Sequence, residues 1–134
     1  MQREIPEYVN LAAAKIAKSL NIQIVLDVGG EDTPISMELI SLLDIISPNE
    51  TELERITGQK ASFEDNKQLL EIIADLRNKS NNQKLKFLLK IGSKGSKYVD
   101  ENNKITSQSA FKFDDLPIVD TTGAGKYYNK TIYY

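Results

Sequence analysis

Apolar and polar positions follow two different rhythms along this chain. Between Glu7 and Leu20, the residues Val9, Ala12, Ala13, Ile16 and Leu20 recur at helical spacing, which predicts a helix with those residues on its inward side and Asn21 as its stop. Ile22 to Val28 is a β-branched run closing on Asp27, Gly29 and Gly30, the pattern of a buried parallel strand followed by a loop. A short helix over Ser36 to Leu43 and a short strand over Asp44 to Ser47 come next. Pro48-Asn49 then opens a helix that Gly58 closes. Ser62 and Asp65 resemble a capping box ahead of an amphipathic stretch from Gln68 to Arg77. The polar run Asn78 to Gln83 predicts a solvated turn. Lys86 to Ile91 predicts a strand, Gly92 to Gly95 a loop, and Ser96 to Asp100 a second strand that Glu101 to Lys104 turn back.

Helix and strand therefore alternate as far as Ile91, which predicts an α/β fold: a three-layer sandwich around a mostly parallel, Rossmann-like sheet. An antiparallel-looking strand pair precedes Asp120. There is no internal repeat, and the tail is unusual, because four of the six tyrosines (Tyr127, Tyr128, Tyr133 and Tyr134) crowd the final residues.

Composition narrows the chemistry more than the fold. The 134 residues suit one domain or a piece of one, and 40% hydrophobic with 27% charged residues is ordinary for a globular chain. A net charge of −2 and a pI near 5.2 argue against nucleic acid or an anionic membrane as partner. With no cysteine there are no disulfides or thiolate sites, and with no histidine there is no Ser-His-Asp triad or His-ligated zinc within the chain. The polar start and the lack of a long apolar run predict a cytoplasmic protein.

Three stretches could carry chemistry. Asp120-Thr121-Thr122-Gly123-Ala124-Gly125-Lys126 suits a loop that wraps an anion at a helix start. A Walker A reading of Gly125-Lys126 fails twice, since that motif wants glycine where Asp120 stands and Ser or Thr where Tyr127 stands. Asn49 and Glu52 would share one side of a first helical turn, where a carboxylate can hold hydrated Mg²⁺ against phosphates; taken alone, these residues favour the plainer reading, with Asn49 a cap and Glu52 an acid favoured by the helix dipole. Lys90-Ile91-Gly92-Ser93-Lys94-Gly95 lies at a strand end, which suits either a nucleotide-contacting loop or a tight turn that needs glycine. Gln2 to Pro6 reads as a polar leader, and Asp27 as a structural strand-end acid.

Taken in order, Q-R-E-I-P with its A-A-A-K-I-A helix, I-S-P-N-E-T-E-L-E-R-I-T-G, G-S-K-G and D-T-T-G-A-G resemble the C-terminal half of ribokinase-family sugar kinases, the family that includes the B-type phosphofructokinases. Ribokinases are the most similar members at the first two segments. The resemblance implies ATP-dependent phosphorylation of ribose or a related sugar, with Mg²⁺ and a monovalent cation, K⁺, as cofactors. It implies sugar contact by Glu4, and nucleotide contact by Asn49, Gly92, Ser93, Lys94 and Gly95. It implies Mg²⁺ near Glu52, a monovalent-cation site at Asp120 and Thr122, and an anion hole at Gly123, Ala124 and Gly125. Lys90 stands where ribokinases often have threonine.

Two departures qualify it. The family pattern is G-A-G-D, whose aspartate deprotonates the sugar; Lys126 stands there, and beyond it only Asn129 agrees with D-T-F-N-G. Residues 1–134 also correspond to the nucleotide-binding half alone, without the N-terminal sugar-binding and lid portion or the C-terminal helices. The expectation is a chain with little or no kinase activity that self-associates through apolar sheet surface left uncovered by the missing helices. A non-catalytic nucleotide- or phosphate-binding module, and a partial gene product with no activity of its own, remain open beside it.

Overall fold

The computed structural model describes residues 1–30 and 33–110. Helix α1 spans Glu7–Ser19, strand β1 Val25–Asp27, α2 Met37–Leu42, β2 Ile45–Ser47, α3 Glu50–Thr57, α4 Asn66–Lys79, β3 Lys86–Lys90, β4 Ser96–Val99 and β5 Ile105–Gln108. A 3₁₀ turn, Gly92–Lys94, links β3 to β4. The five strands form one sheet in chain order. β1, β2 and β3 run parallel, with Asp27 beside Ser47 and Ile46 beside Phe87; β4 and β5 return antiparallel. This is the expected α/β architecture.

Alternation along the strands sorts the two sheet faces. Leu26, Ile46, Phe87, Leu89 and Val99 share one face and one buried core with Leu39 and Ile40 of α2, Leu53 of α3, and Leu69, Ile72, Ile73 and Leu76 of α4. Asp27, Ile45, Ser47, Leu88 and Lys90 occupy the other face. Parallel strands buried on both sides need continuous apolar runs, and β2 and β3 have them.

The helix ends follow side-chain chemistry. Ser36 caps α2 by accepting from Leu39 N–H at 3.2 Å. Asn49 and Glu52 form a reciprocal capping box on α3, and Gly58 ends that helix at φ 70°. On α4 the cap is Asp65 itself, which accepts from Lys67 and Gln68 N–H, so the Ser62/Asp65 box does not form. The helix starts at Asn66 and runs on to Lys79. The turn after it is less solvated than its polarity suggests. Ser80 is buried, and Asn82 Nδ2 donates to the Ile40 and Leu43 carbonyls at the end of α2.

Helix α1 forms where expected but with its faces exchanged. Val9, Ala12, Ala13, Ile16 and Leu20 are exposed, Ile16 by 61% and Leu20 by 64%, whereas Asn10 and Ala14 are buried. Leu11 and Ala17 give the helix a second apolar stripe, and that stripe meets the core. Asn10 tolerates burial because its amide donates to Gln2 O at 2.8 Å.

Candidate functional site at the strand ends

The C-terminal ends of β1, β2 and β3 lie together on one edge of the sheet. In open α/β sheets this is the edge where ligands bind. Three loops leave it: Val28-Gly29-Gly30 after β1, Pro48-Asn49 after β2, and Ile91 with the 3₁₀ turn after β3.

Register brings the candidate residues of the latter two loops together. Lys90 N–H donates to Pro48 O at 3.0 Å, and Asn49 pairs with Lys90 as an isolated parallel bridge. Asn49 Oδ1 accepts from Glu52 N–H at 2.8 Å, and Glu52 Oε2 accepts from Asn49 N–H at 2.8 Å. The capping role weighed for these two residues is therefore real, and it fixes the Glu52 carboxylate at the strand edge with only 11% of its side chain exposed.

Lys90 completes the cluster. Its ammonium donates to Asp27 Oδ1 at 2.8 Å and lies 3.3 Å from Glu52 Oε2. Asp27 Oδ1 also accepts from Gly29 N–H at 3.1 Å. Asp27, read from sequence as a structural acid, thus belongs to the same constellation as Asn49 and Glu52. Between them, on β2, Ser47 is fully buried and its Oγ has no hydrogen-bond partner among the described residues.

The other candidates take positions around this cluster. Glu4 is exposed and lies against Gly30, just past β1; a Cβ on Gly30 would come within 3.1 Å of Glu4 Cγ, and its φ of 114° suits glycine alone. Arg3, in the segment read as a polar leader, is buried and donates from Nη2 to Thr33 O at 2.6 Å and Thr33 Oγ1 at 2.8 Å. Arg3, Thr33, Glu52 and Arg55 share in lining one small recess. Nothing in the spacing of Q-R-E-I-P signals that anchoring; the pairing of Arg3 with a loop far along the chain decides it.

Gly92, Ser93 and Lys94 form the exposed 3₁₀ turn next to Lys90, and Gly95 ends it. Gly92 has φ 55° and Gly95 φ 103°. At Gly95 the requirement is also steric, since a Cβ would sit 2.0 Å from Gln108 O. The loop is a glycine-dependent turn, and it leaves the sheet at the C-terminal end of β3. Lys94 pairs with Glu64 across the surface, which raises the lysine pKa and lowers that of the glutamate. Asp120, Thr122, Gly123, Ala124, Gly125 and Lys126 lie outside the described residues.

The arrangement bears on whether these side chains could ligate a divalent ion directly. Mg²⁺ takes about six oxygens in near-octahedral geometry. Here Glu52 Oε2 already accepts from Asn49 N–H, Asp27 Oδ1 from Gly29 N–H, and the Lys90 ammonium lies against both carboxylates. No group of three or more His, Cys, Asp or Glu that could hold a metal occurs among the described residues. These side chains, as arranged, do not fit a directly coordinated divalent ion.

Comparison with known proteins now decides the family. Residues 1–125 match the family described as pfkB family carbohydrate kinase. The chain belongs to the pfkB carbohydrate kinase family. It is 43% identical over 126 residues to ribokinase from Arabidopsis thaliana and 32% identical over 129 residues to ribokinase from Haemophilus influenzae. Those alignments cover 93% and 96% of this chain but only 31% and 39% of the relatives. The structure of Arabidopsis ribokinase complexed with ribose and ATP superposes with a TM-score of 0.81 at 41% identity, covering 96% of this chain and 39% of that one. This pfkB chain therefore spans about a third of the length of the relatives it matches. Among the described residues no helix is long and apolar enough to cross a membrane.

Proposed function

We propose that this chain is the nucleotide-handling portion of an ATP-dependent sugar kinase acting on ribose or a related sugar, and that alone it has little or no kinase activity. The observation that carries the reading is the joining of Asn49, Glu52, Asp27 and Lys90 at the ends of three parallel strands, in a chain 43% identical to a ribokinase. In-line phosphoryl transfer needs little covalent help from the protein; positioning and charge stabilisation do most of the work. The exposed turn Gly92 to Lys94 and Gly95 would meet the nucleotide, Glu4 the sugar, and Gly123 to Gly125 the charge on the transferring phosphoryl group. We assign the K⁺ role to Asp120 and Thr122 by resemblance alone.

Inactivity follows from the base. Lys126 stands where the family has aspartate, and a protonated lysine cannot take the sugar proton. Loss of a general base costs ~10²–10⁴ in rate. A coupled ADP-release assay with ribose, ATP, Mg²⁺ and K⁺ is expected to stay at background; ribose-dependent turnover clearly above it would defeat the proposal. Calorimetry with a non-hydrolysable ATP analogue is expected to give heat, whereas a chain that neither binds nor shifts its melting temperature would be a partial product with no nucleotide function. We further propose self-association through the outward stripe of α1 and the turn that follows it, where Val9 and Ile16 on the helix and Leu20 and Ile22 just beyond it are exposed. Light scattering at high concentration is expected to show a mass above one chain, and Ile16→Glu to lower it.

A further inference from the structure

Lys90 reaches its partners from a rigid place. It is the last residue of β3, its backbone is fixed to Pro48, and the register carries its side chain to the sheet face that also bears Asp27 and Ser47. The three ionic side chains are largely withdrawn from water, with exposures of 20% for Lys90, 25% for Asp27 and 11% for Glu52. Two carboxylates gathered at that depth need a cation close by, because each disfavours the charge of the other and neither is fully solvated. The ammonium has three N–H donors and spends at least one on Asp27, with Glu52 within ion-pair distance. Lys90 thus holds the ground between Asp27 and Glu52 that a divalent ion would need.

We propose that Lys90 is the resident cation of this site: its ammonium occupies the place between Asp27 and Glu52, holds Glu52 in its capping geometry, and keeps divalent ions out of the nucleotide-free chain. This deepens the kinase reading, on which it rests for the metal expected near Glu52. One consequence concerns charge. Lys90 brings one positive charge to two carboxylates, so its removal takes away the ion pairs at 2.8 Å and 3.3 Å. Another concerns Glu52, whose Oε2 stays committed to Asn49 N–H and Lys90 while the ammonium is present.

The test uses Mn²⁺ alone, without nucleotide, so that its failure is distinct from a failure of nucleotide binding or turnover. Paramagnetic broadening of the backbone amide signals of Gly29, Asn49 and Glu52 is followed in the ¹⁵N-labelled full chain. The wild type is expected to show no selective broadening at these amides into the millimolar range. Lys90→Met is expected to show it at ~10-fold lower Mn²⁺ or less, the scale of removing one nearby unit charge. Lys90→Gln, which keeps an amide donor for Asp27 and so protects the fold, is expected to behave like Lys90→Met, while Lys90→Arg keeps the charge and stays silent. Adding Glu52→Gln to Lys90→Gln is expected to abolish the broadening. Selective broadening in the wild type at the concentration that affects Lys90→Gln would overturn the proposal. So would a folded Lys90→Gln that remains as silent as the wild type.

Discussion

Strand β3 has a withdrawn cation near each end, and the two are held in opposite ways. At its start, Arg77 of α4 is only 4% exposed and donates Nε to Leu85 O at 2.9 Å, Nη1 to Asn103 Oδ1 at 2.7 Å and Nη2 to Asp100 O at 2.7 Å. Its guanidinium also lies 5.7 Å from the centre of the Phe87 ring. All of those oxygens are neutral, and burial lowers the arginine pKa, with Asp100 and Glu101 opposing the shift. At the far end, Lys90 meets carboxylates near the open edge. A cation held mainly by backbone carbonyls has partners that cannot leave, so it serves the fold. A cation held by carboxylates has partners that another ion or a ligand could compete for.

The largest expected effect tests the first half of this contrast. Arg77→Met should lower stability by about 3 kcal/mol, because it strands the buried carbonyl of Leu85 and the part-buried one of Asp100. Urea unfolding followed by circular dichroism reads it; a loss under about 1 kcal/mol would mean that water replaces the guanidinium and that Arg77 is not a staple. Lys90→Met should cost less, about 1–2 kcal/mol, since Asp27 and Glu52 at the edge can recruit water or ions once the ammonium is gone. A larger loss at Lys90 than at Arg77 would reverse the comparison. Next comes Asn49→Ala, which removes one half of the capping box and should cost ~1 kcal/mol. It also frees the Glu52 backbone N–H, so that amide should exchange with solvent faster while those in α4 keep their protection.

The smallest effect is a control on the surface. Glu64 and Lys94 pair in the open, and Lys94 depresses the carboxyl pKa first by hydrogen bonding and then by its charge. A depressed carboxyl pKa contributes stability above the ordinary glutamate value of about 4.3, and that contribution is lost as pH falls through the lowered folded value. Lys94→Ala should therefore move the Glu64 titration, read by carboxyl ¹³C shifts, upward toward the ordinary value. Its effect on the thermal midpoint at neutral pH should be barely measurable.

Much of this was legible in the residues, for identifiable reasons. Local signals worked where one side chain decides a backbone event: Asn49 and Glu52 start α3, Gly58 stops it, and the β-branched run before Asp27 forms a strand. Periodicity found α1 but chose the wrong stripe, because Val9, Ala13 and Ile16 are as regularly spaced as Leu11, Ala14 and Ala17. Spacing gives the period of a helix and leaves its rotation to tertiary packing. The site was legible as short motifs, Asn49 to Glu52 and Gly92 to Gly95, whose place at a strand end the strand pattern already implied. What stayed hidden were long-range pairings of ordinary residues. Arg3 meets Thr33, Lys90 meets Asp27, and Arg77 meets Asn103, and no spacing along one segment encodes a partner on another.

The exchanged faces of α1 have a practical use. Ile16 projects from the regular part of the helix and Leu20 from its C-cap, both exposed, so lysine or glutamate at Ile16 would forfeit only a few tenths of a kcal/mol of helix preference. Such replacements would turn a sticky flank into a hydrated one, giving a better-behaved sample for spectroscopy with the strand-edge constellation untouched.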